Sequence, residues 1–312
     1  INMKFKFTMH YLKNLYIFFV ILSLTLFFFS TTKVLAKAFE IRNIEISKPF
    51  KNDFNKNLAI DLGFKKAFSE LLTTLLKSSD LEKIEEAGLN EVKSMINSFS
   101  IKEEKFINQI YYLNLGVSFN KKKVYHFLEK KNIFPSQINK ETFLFIPIVI
   151  NEDTNNLKIF SENLFYDNWN KFENKSQLIN YLLLTEDLED MNLIKKNSKY
   201  IEEYDFNEIK KKYFLNHSII SLIFRKSDEI KVLSKINIQG NKIIRNNTFK
   251  NVDFSDEKKF ELLIDDIKTI YEDIWKEHNQ INTSIQLPLI VKVVNEFDNI
   301  ISKFENTLDK ID

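Results

Sequence analysis

Glu186-Asp187-Leu188-Glu189-Asp190 is the densest set of side chains in this sequence that could do chemistry, four carboxylates in five residues. Lying just after the apolar stretch Tyr181 to Leu184, they could hold a hard cation such as Mg²⁺ or Ca²⁺ through oxygen ligands. They could equally divide into a general acid and a general base. The spacing lacks the central Gly and distal Glu of a calcium loop. A plainer reading is a solvated loop whose carboxylates favour the positive start of the next helix. Glu186, Asp187, Glu189 and Asp190 are therefore the candidate acidic site, with no metal and no cofactor assigned.

Other reactive residues form no constellation. Beyond the first 36 residues, the histidines are His126, His217 and His278, in three separate elements and without the spacing of a His-Glu-x-x-His metal motif. No Gly-x-Ser-x-Gly elbow occurs, nor a Ser-x-x-Lys with its supporting motifs. Gly63, Gly88, Gly116 and Gly240 are isolated, whereas phosphate cradles need glycines at short intervals. Trp169, Trp275 and the pair Tyr111-Tyr112 could line a binding site, yet each falls in a segment whose pattern points to a core. The absence of cysteine excludes disulfides, a thiol nucleophile, Cys-ligated zinc and a lipid-modified Cys. No catalytic residue is predicted.

The elements that would position such groups come from an ordinary globular composition. The chain has 312 residues, enough for two domains, with 44% hydrophobic and 28% charged residues. Only Arg42, Arg225 and Arg245 are arginine, and the Lys, Asn, Ile and Phe bias is that of AT-rich codons. The net charge of +2 becomes −2 once the four lysines of residues 1–36 are set aside. A nearly neutral, Arg-poor chain has no electrostatic footprint for nucleic acid.

Residues 1–36 have the three parts of a bacterial secretory signal peptide. Lys4, Lys6 and Lys13 precede the apolar run Leu15 to Phe29, and small residues lead to Val34 and Ala36, with cleavage expected before Lys37 or after Ala38. The run is shorter than the ~20 residues that span a bilayer, so cleavage is favoured over an uncleaved inner-membrane anchor. Met3 or Met9 would be the natural start.

The expected fold class is α/β (α+β), two small mixed sheet-and-helix domains after the leader. In the first domain, residues 39–150, a strand covers Phe39 to Ser47. The stripe Ile60, Phe64, Ala67, Phe68, Leu71, Leu72, Leu75 then predicts a strong helix. A weaker helical stretch runs Leu81 to Phe99, interrupted at Gly88. Tyr111, Leu113, Leu115, Val117 and Phe119 alternate as a half-buried strand, and Asn120 caps a short helix carrying Val124, Phe127 and Leu128. Thr142 to Ile150 reads as a buried strand closing this domain, with Pro147 placing part of it on an edge. The polar run Asn151 to Asn156 is the expected boundary.

The second domain, residues 157–280, should hold a helix around Trp169, the strand Tyr181 to Leu184 and a helix from Asp205 to Phe214. Three strands follow, His217 to Phe224, Glu229 to Ile238 and Lys242 to Phe249, joined by turns at Lys226-Ser227-Asp228 and Gln239-Gly240-Asn241. A long helix from Ser255 carries Phe260, Leu263, Ile264, Ile267, Ile270, Tyr271 and Ile274 on one face. Residues 285–312 read as a strand and helix that begin a further unit, and with the non-Met start they suggest a natural protein longer than this chain.

Several of these segments together resemble an uncharacterised bacterial envelope family, domain of unknown function 2066. They are Asp61 to Leu75, the run Tyr112 to Asn120 with Val124 and Leu128, the strand-plus-acid stretch Leu182 to Asp190, and Tyr213 to Phe224 with the hairpin at Gly240. Phe134-Pro135 and Lys140-Glu141 stand where that family has Trp and Arg-Pro. The second domain is also similar to the amino-terminal domain of the TolB translocation protein, a unit used for protein contacts. The resemblance implies an envelope location and this fold, and no activity. The expectation is a periplasmic, non-enzymatic binding or accessory protein whose partner is another envelope protein, with no nucleic acid and no membrane contact beyond an uncleaved leader. The competing reading is a periplasmic metal-dependent hydrolase built on the acidic cluster.

Overall fold

The apolar residues Phe39, Ile41, Ile44 and Ile46 alternate with one residue too many between the second and third. Asn43 absorbs it at φ 59, a left-handed conformation that Asn tolerates better than most residues. All four therefore stay on the packed face of β1, Ala38–Pro49. The computed structural model describes residues 38–84, 87–154, 156–172, 176–282 and 303–304. The leader, with Val34, Ala36 and Lys37, lies outside the described residues, as does all but 303–304 of the segment beyond residue 285. Residues Phe39–Pro288 form one compact unit of mixed α and β structure, built on two sheets.

The first half is a two-layer sandwich. Helix α1, Lys56–Leu75, is capped by the Asn55 side chain and buries Phe64, Ala67, Phe68, Leu71, Leu72 and Leu75. A Cβ on its Gly63 would stand 2.5 Å from Leu115 Cδ2, so glycine lets the helix cross the sheet closely. Two short helices follow, α2 at Ser78–Leu81 and α3 at Leu89–Met95. The chain then turns into a long strand, β2 at Ile96–Ile107, where the sequence suggested the end of a helix. It pairs antiparallel with β3, Ile110–Asn120, and the sheet order is β1-β3-β2. Asn108 and Gln109 join the pair, both at positive φ as a type I′ turn requires. Asn120 caps α4, Lys121–Lys130, as expected.

The strand expected to close this first domain belongs to the second sheet. β4, Glu141–Asn151, pairs parallel with β6, Ile179–Leu183, on one side and with β7, His217–Lys226, on the other. Both its faces are buried, which is why it reads as one unbroken apolar run. Asn151 to Asn156 is not a boundary but a hairpin to β5, Asn156–Lys158. Pro147 lies inside the sheet, in the gap between β5 and β6, where its carbonyl accepts from Asn163 Nδ2 at 2.9 Å. A strand residue points its N and its C=O the same way, so the missing N–H faces that gap and breaks no ladder. The connection between the halves is 131–140 instead. It is clamped by Ser136 N–H to Leu75 O (2.8 Å) and Ile281 N–H to Pro135 O (2.8 Å).

The six-stranded second sheet continues through β8, Glu229–Ile238, and β9, Asn241–Phe249, as two antiparallel hairpins. One face is covered by α5, Leu164–Asn168, and by the long α8, Glu257–His278. The other is covered by α6, Leu188–Lys196, a turn of 3₁₀ helix at Ser198–Tyr200, and α7, Asn207–Lys211. On the α8 side the apolar pattern is broken twice, at Ser221 and Ser234, which face each other across β7 and β8. Their hydroxyls hold the buried Tyr271 OH at 3.1 and 2.8 Å, and burial pushes that phenol up to about 12.

Tyr271→Phe should therefore cost about 1–3 kcal/mol, because two buried hydroxyls lose their partner. Urea unfolding should show a lower midpoint at an unchanged slope, and adding Ser221→Ala and Ser234→Ala should recover most of the loss.

Candidate functional site

The loop after β6 carries the acidic cluster into α6, and three of its four carboxylates meet one lysine there. Asp187 is the N-cap of α6, its Oδ1 accepting the Glu189 N–H at 2.7 Å. Asp190 is 1% exposed and bonds the Lys212 ammonium at 2.7 Å. The same Nζ lies 3.5 Å from Glu189 and 3.7 Å from Asp187. A lysine from the end of α7 thus stands where a bound cation would, and the hydrogen bond to Asp190, chief among these carboxylates, raises its pKa. Beside it the Tyr213 hydroxyl accepts the Thr185 N–H at 2.8 Å, fastening the same two segments. Glu186 faces outward instead, onto a cleft of about 400 Å³ shared with Lys158, Glu162 and Lys195. The cluster caps a helix and locks α7 onto α6. Lys212, twenty-two residues beyond Asp190, carried no local signal of this role.

Two of the three scattered histidines meet around Trp275. His217 stacks on Phe143 at 4.7 Å and abuts Trp275 at 5.3 Å, while His278 stacks on Trp275 at 5.7 Å. The indole N–H donates to Asn139 O at 2.8 Å, tying the connecting segment to α8. Burial lowers the His217 pKa, against a smaller opposing pull from Glu141. His126 stays apart on α4, 3.6 Å from Glu129.

Sequence reasoning missed a buried polar seam where α8 meets both halves. Lys268, Glu272 and Lys276 recur every fourth residue and are all buried, a second stripe beside the apolar one. Glu272 accepts the N–H groups of Leu178 and Ile179 at 2.9–3.2 Å at the start of β6. Lys276 donates to Thr73 O at 2.7 Å, and Asp273 accepts both the N–H and the hydroxyl of Ser78. Burial raises the Glu272 pKa and lowers that of Lys276. A cleft of about 270 Å³ opens along this seam. The four-residue repeat of charges was its one visible sign.

The first sheet offers a different surface. Its second face carries Glu40, Arg42, Glu45 and Ser47 from β1 and Tyr112, Asn114, Gly116 and Ser118 from β3. A groove of about 520 Å³ crosses it, lined by Glu45, Ser47, Glu103, Lys105, Tyr112 and Asn114 among others. Tyr112 is 40% exposed, and Asn114 Oδ1 is buried without a partner among the described residues. Along the margin, β2 is exposed at every position after Ile96 and pairs only with β3 among the described residues.

No protein-family model matches the chain, and no curated protein matches it significantly. Among the described residues, no group of three or more His, Asp or Glu is arranged to hold a metal ion, and no helix is long and apolar enough to cross a membrane.

Three outcomes test these assignments. Lys212→Met should lower the melting temperature more than the double variant Asp190→Asn with Lys212→Met, since only the single change strands a buried carboxylate. Mg²⁺ or Ca²⁺ should raise the melting temperature of neither. For His217, the folded pKa lies below the unfolded one, so protons bind the unfolded chain first as pH falls below about 6.5. Stability should drop through that range, and His217→Phe should reduce the drop in melts compared at about pH 7.5 and 5.5.

Proposed function

We propose that this chain is an exported protein of the bacterial cell envelope that acts in the periplasm by binding another envelope protein, and not by catalysis. The observation that carries this reading is the open face of the first sheet. It presents a groove lined by Tyr112 and Asn114 and by side chains of both charges, Glu45, Glu103, Lys66 and Lys105. A rigid tyrosine flanked by adaptable polar groups suits a protein segment of mixed charge better than a small apolar ligand. Two of the four carboxylates a hydrolase would use are engaged within the fold, Asp190 by Lys212 and Asp187 by the start of its helix. The leader of residues 1–36 supports export.

A photo-reactive amino acid placed at Tyr112, in the tagged gene expressed in its native host, tests the reading. One reproducible envelope partner is expected, absent when the probe sits at Leu188 on the other half and lost in an Asn114→Leu background. Recovery of no specific partner from folded protein, shown by mass to lack its first 36 residues, would overturn it.

A further inference from the structure

The outer edge of β2 is written to pair with itself. Its sequence runs Phe99-Ser100-Ile101-Lys102-Glu103-Glu104-Lys105-Phe106, apolar at both ends with a balanced charged centre. Lys102 is a bulge: Ile101 pairs with Leu115 and Glu103 with Asn114, leaving it unmatched. The bulge re-phases the strand. Phe99 and Ile101 before it, and Glu104 and Phe106 after it, all lie on the face toward α1, as Phe99 against Phe64 and Glu104 against Lys56 show.

Hydrogen bonding alternates with the same period as side-chain facing. Ile107 and Ile110 close the two-residue turn, so Ile107, Lys105 and Glu103 direct their backbone groups to β3. Phe106 and Glu104 then direct theirs outward, and so, across the bulge, do Ile101 and Phe99. A second strand must satisfy these four outward residues together. An antiparallel copy does so in one register, with the two-fold axis between Lys102 and Glu103. Phe99 then faces Phe106 of the second copy, Ile101 faces Glu104, and Lys102 faces Glu103 twice over, the two side chains turning outward from Asn43 (3.0 Å) and Lys105 (2.6 Å) of their own chain. Any other register sets a bulge against a regular stretch. Phe99 and Phe106 are 47% and 55% exposed, so their pairing would also cover apolar surface.

We propose that β2 pairs antiparallel with β2 of a second copy, joining two three-stranded sheets into one six-stranded sheet. This use of the edge rests on the reading of the first sheet as the interaction surface, and it sets two open faces side by side. A long exposed edge strand invites strand addition. Here the bulge and the Lys-Glu order choose a second copy over an unrelated strand, because the complement to β2 is β2.

The test uses the protein as its host processes it, in sedimentation over a hundredfold range of concentration. A dimer is expected that Lys102→Glu abolishes, by facing Glu with Glu twice, and that the exchange Lys102→Glu with Glu103→Lys restores. The chain has no cysteine, so a disulfide can report the register directly. Ser100→Cys with Lys105→Cys should oxidise to a covalent dimer, whereas either change alone should not. The two cysteines lie too far apart along one strand to join within a chain. A monomer at every concentration, or a dimer indifferent to Lys102→Glu and without that disulfide, would overturn the pairing. If the Tyr112 probe still captured its partner, the proposed function would stand without it. Circular dichroism separates loss of dimer from loss of fold.

Discussion

Everything in the unit 39–288 depends on α8 having two buried sides. Toward the second sheet it sets Phe260, Leu263, Ile264, Ile267, Tyr271 and Trp275 into one core. Toward the first half it sends Asp273 and Lys276 to Ser78 and Thr73, and between them Glu272 holds the start of β6. Burying charge is costly unless each group finds hydrogen-bond partners, and here Glu272 and Lys276 find them on the backbone. Glu272 serves two N–H groups at a strand start, and Lys276 serves a carbonyl in the last turn of α1. The opposed directions of their pKa shifts, up for Glu272 and down for Lys276, record that desolvation. The helix is thus both the lid of one core and the brace between two.

That arrangement decides which surface is left over. The second sheet has helices on both faces, the normal consequence of parallel neighbours around β4. The first sheet is joined by an antiparallel hairpin and needs a cover on one face alone, which α1 and α4 supply. Its other face and its β2 margin stay accessible. The charged clusters of the second half serve the fold, while among the described residues no element covers the polar face of the first half.

Elements with a clean period were legible from the residues. The stripes Ile60 to Leu75 and Phe260 to Ile274, the alternation Tyr111 to Phe119 and the Asn120 cap all appear where expected. β2 did not show itself, because a strand exposed on both faces has no apolar alternation, and its bulges at Asn97 and Lys102 interrupt what remains. Its turn, Asn108-Gln109, adopts positive φ without a glycine to mark it. β4 was visible as a strand, yet its apolar run could not say which sheet would bury it. The polar hairpin after it looked like a boundary for the same reason.

By itself the sequence determined the local pieces: the mixed α and β class, most helices and strands, the capping residues and the lack of cysteine chemistry. Tertiary structure alone decided the pairings between distant residues. Lys212 enters the acidic cluster from twenty-two positions away, and Trp275 reaches Asn139 across more than a hundred. Ser221 and Ser234 converge on Tyr271 only because two strands happen to be in register. Periodicity is a local property, set by the pitch of one helix or the pleat of one strand. The partner of a buried polar group is set by which elements meet, and that is fixed only when the whole core closes.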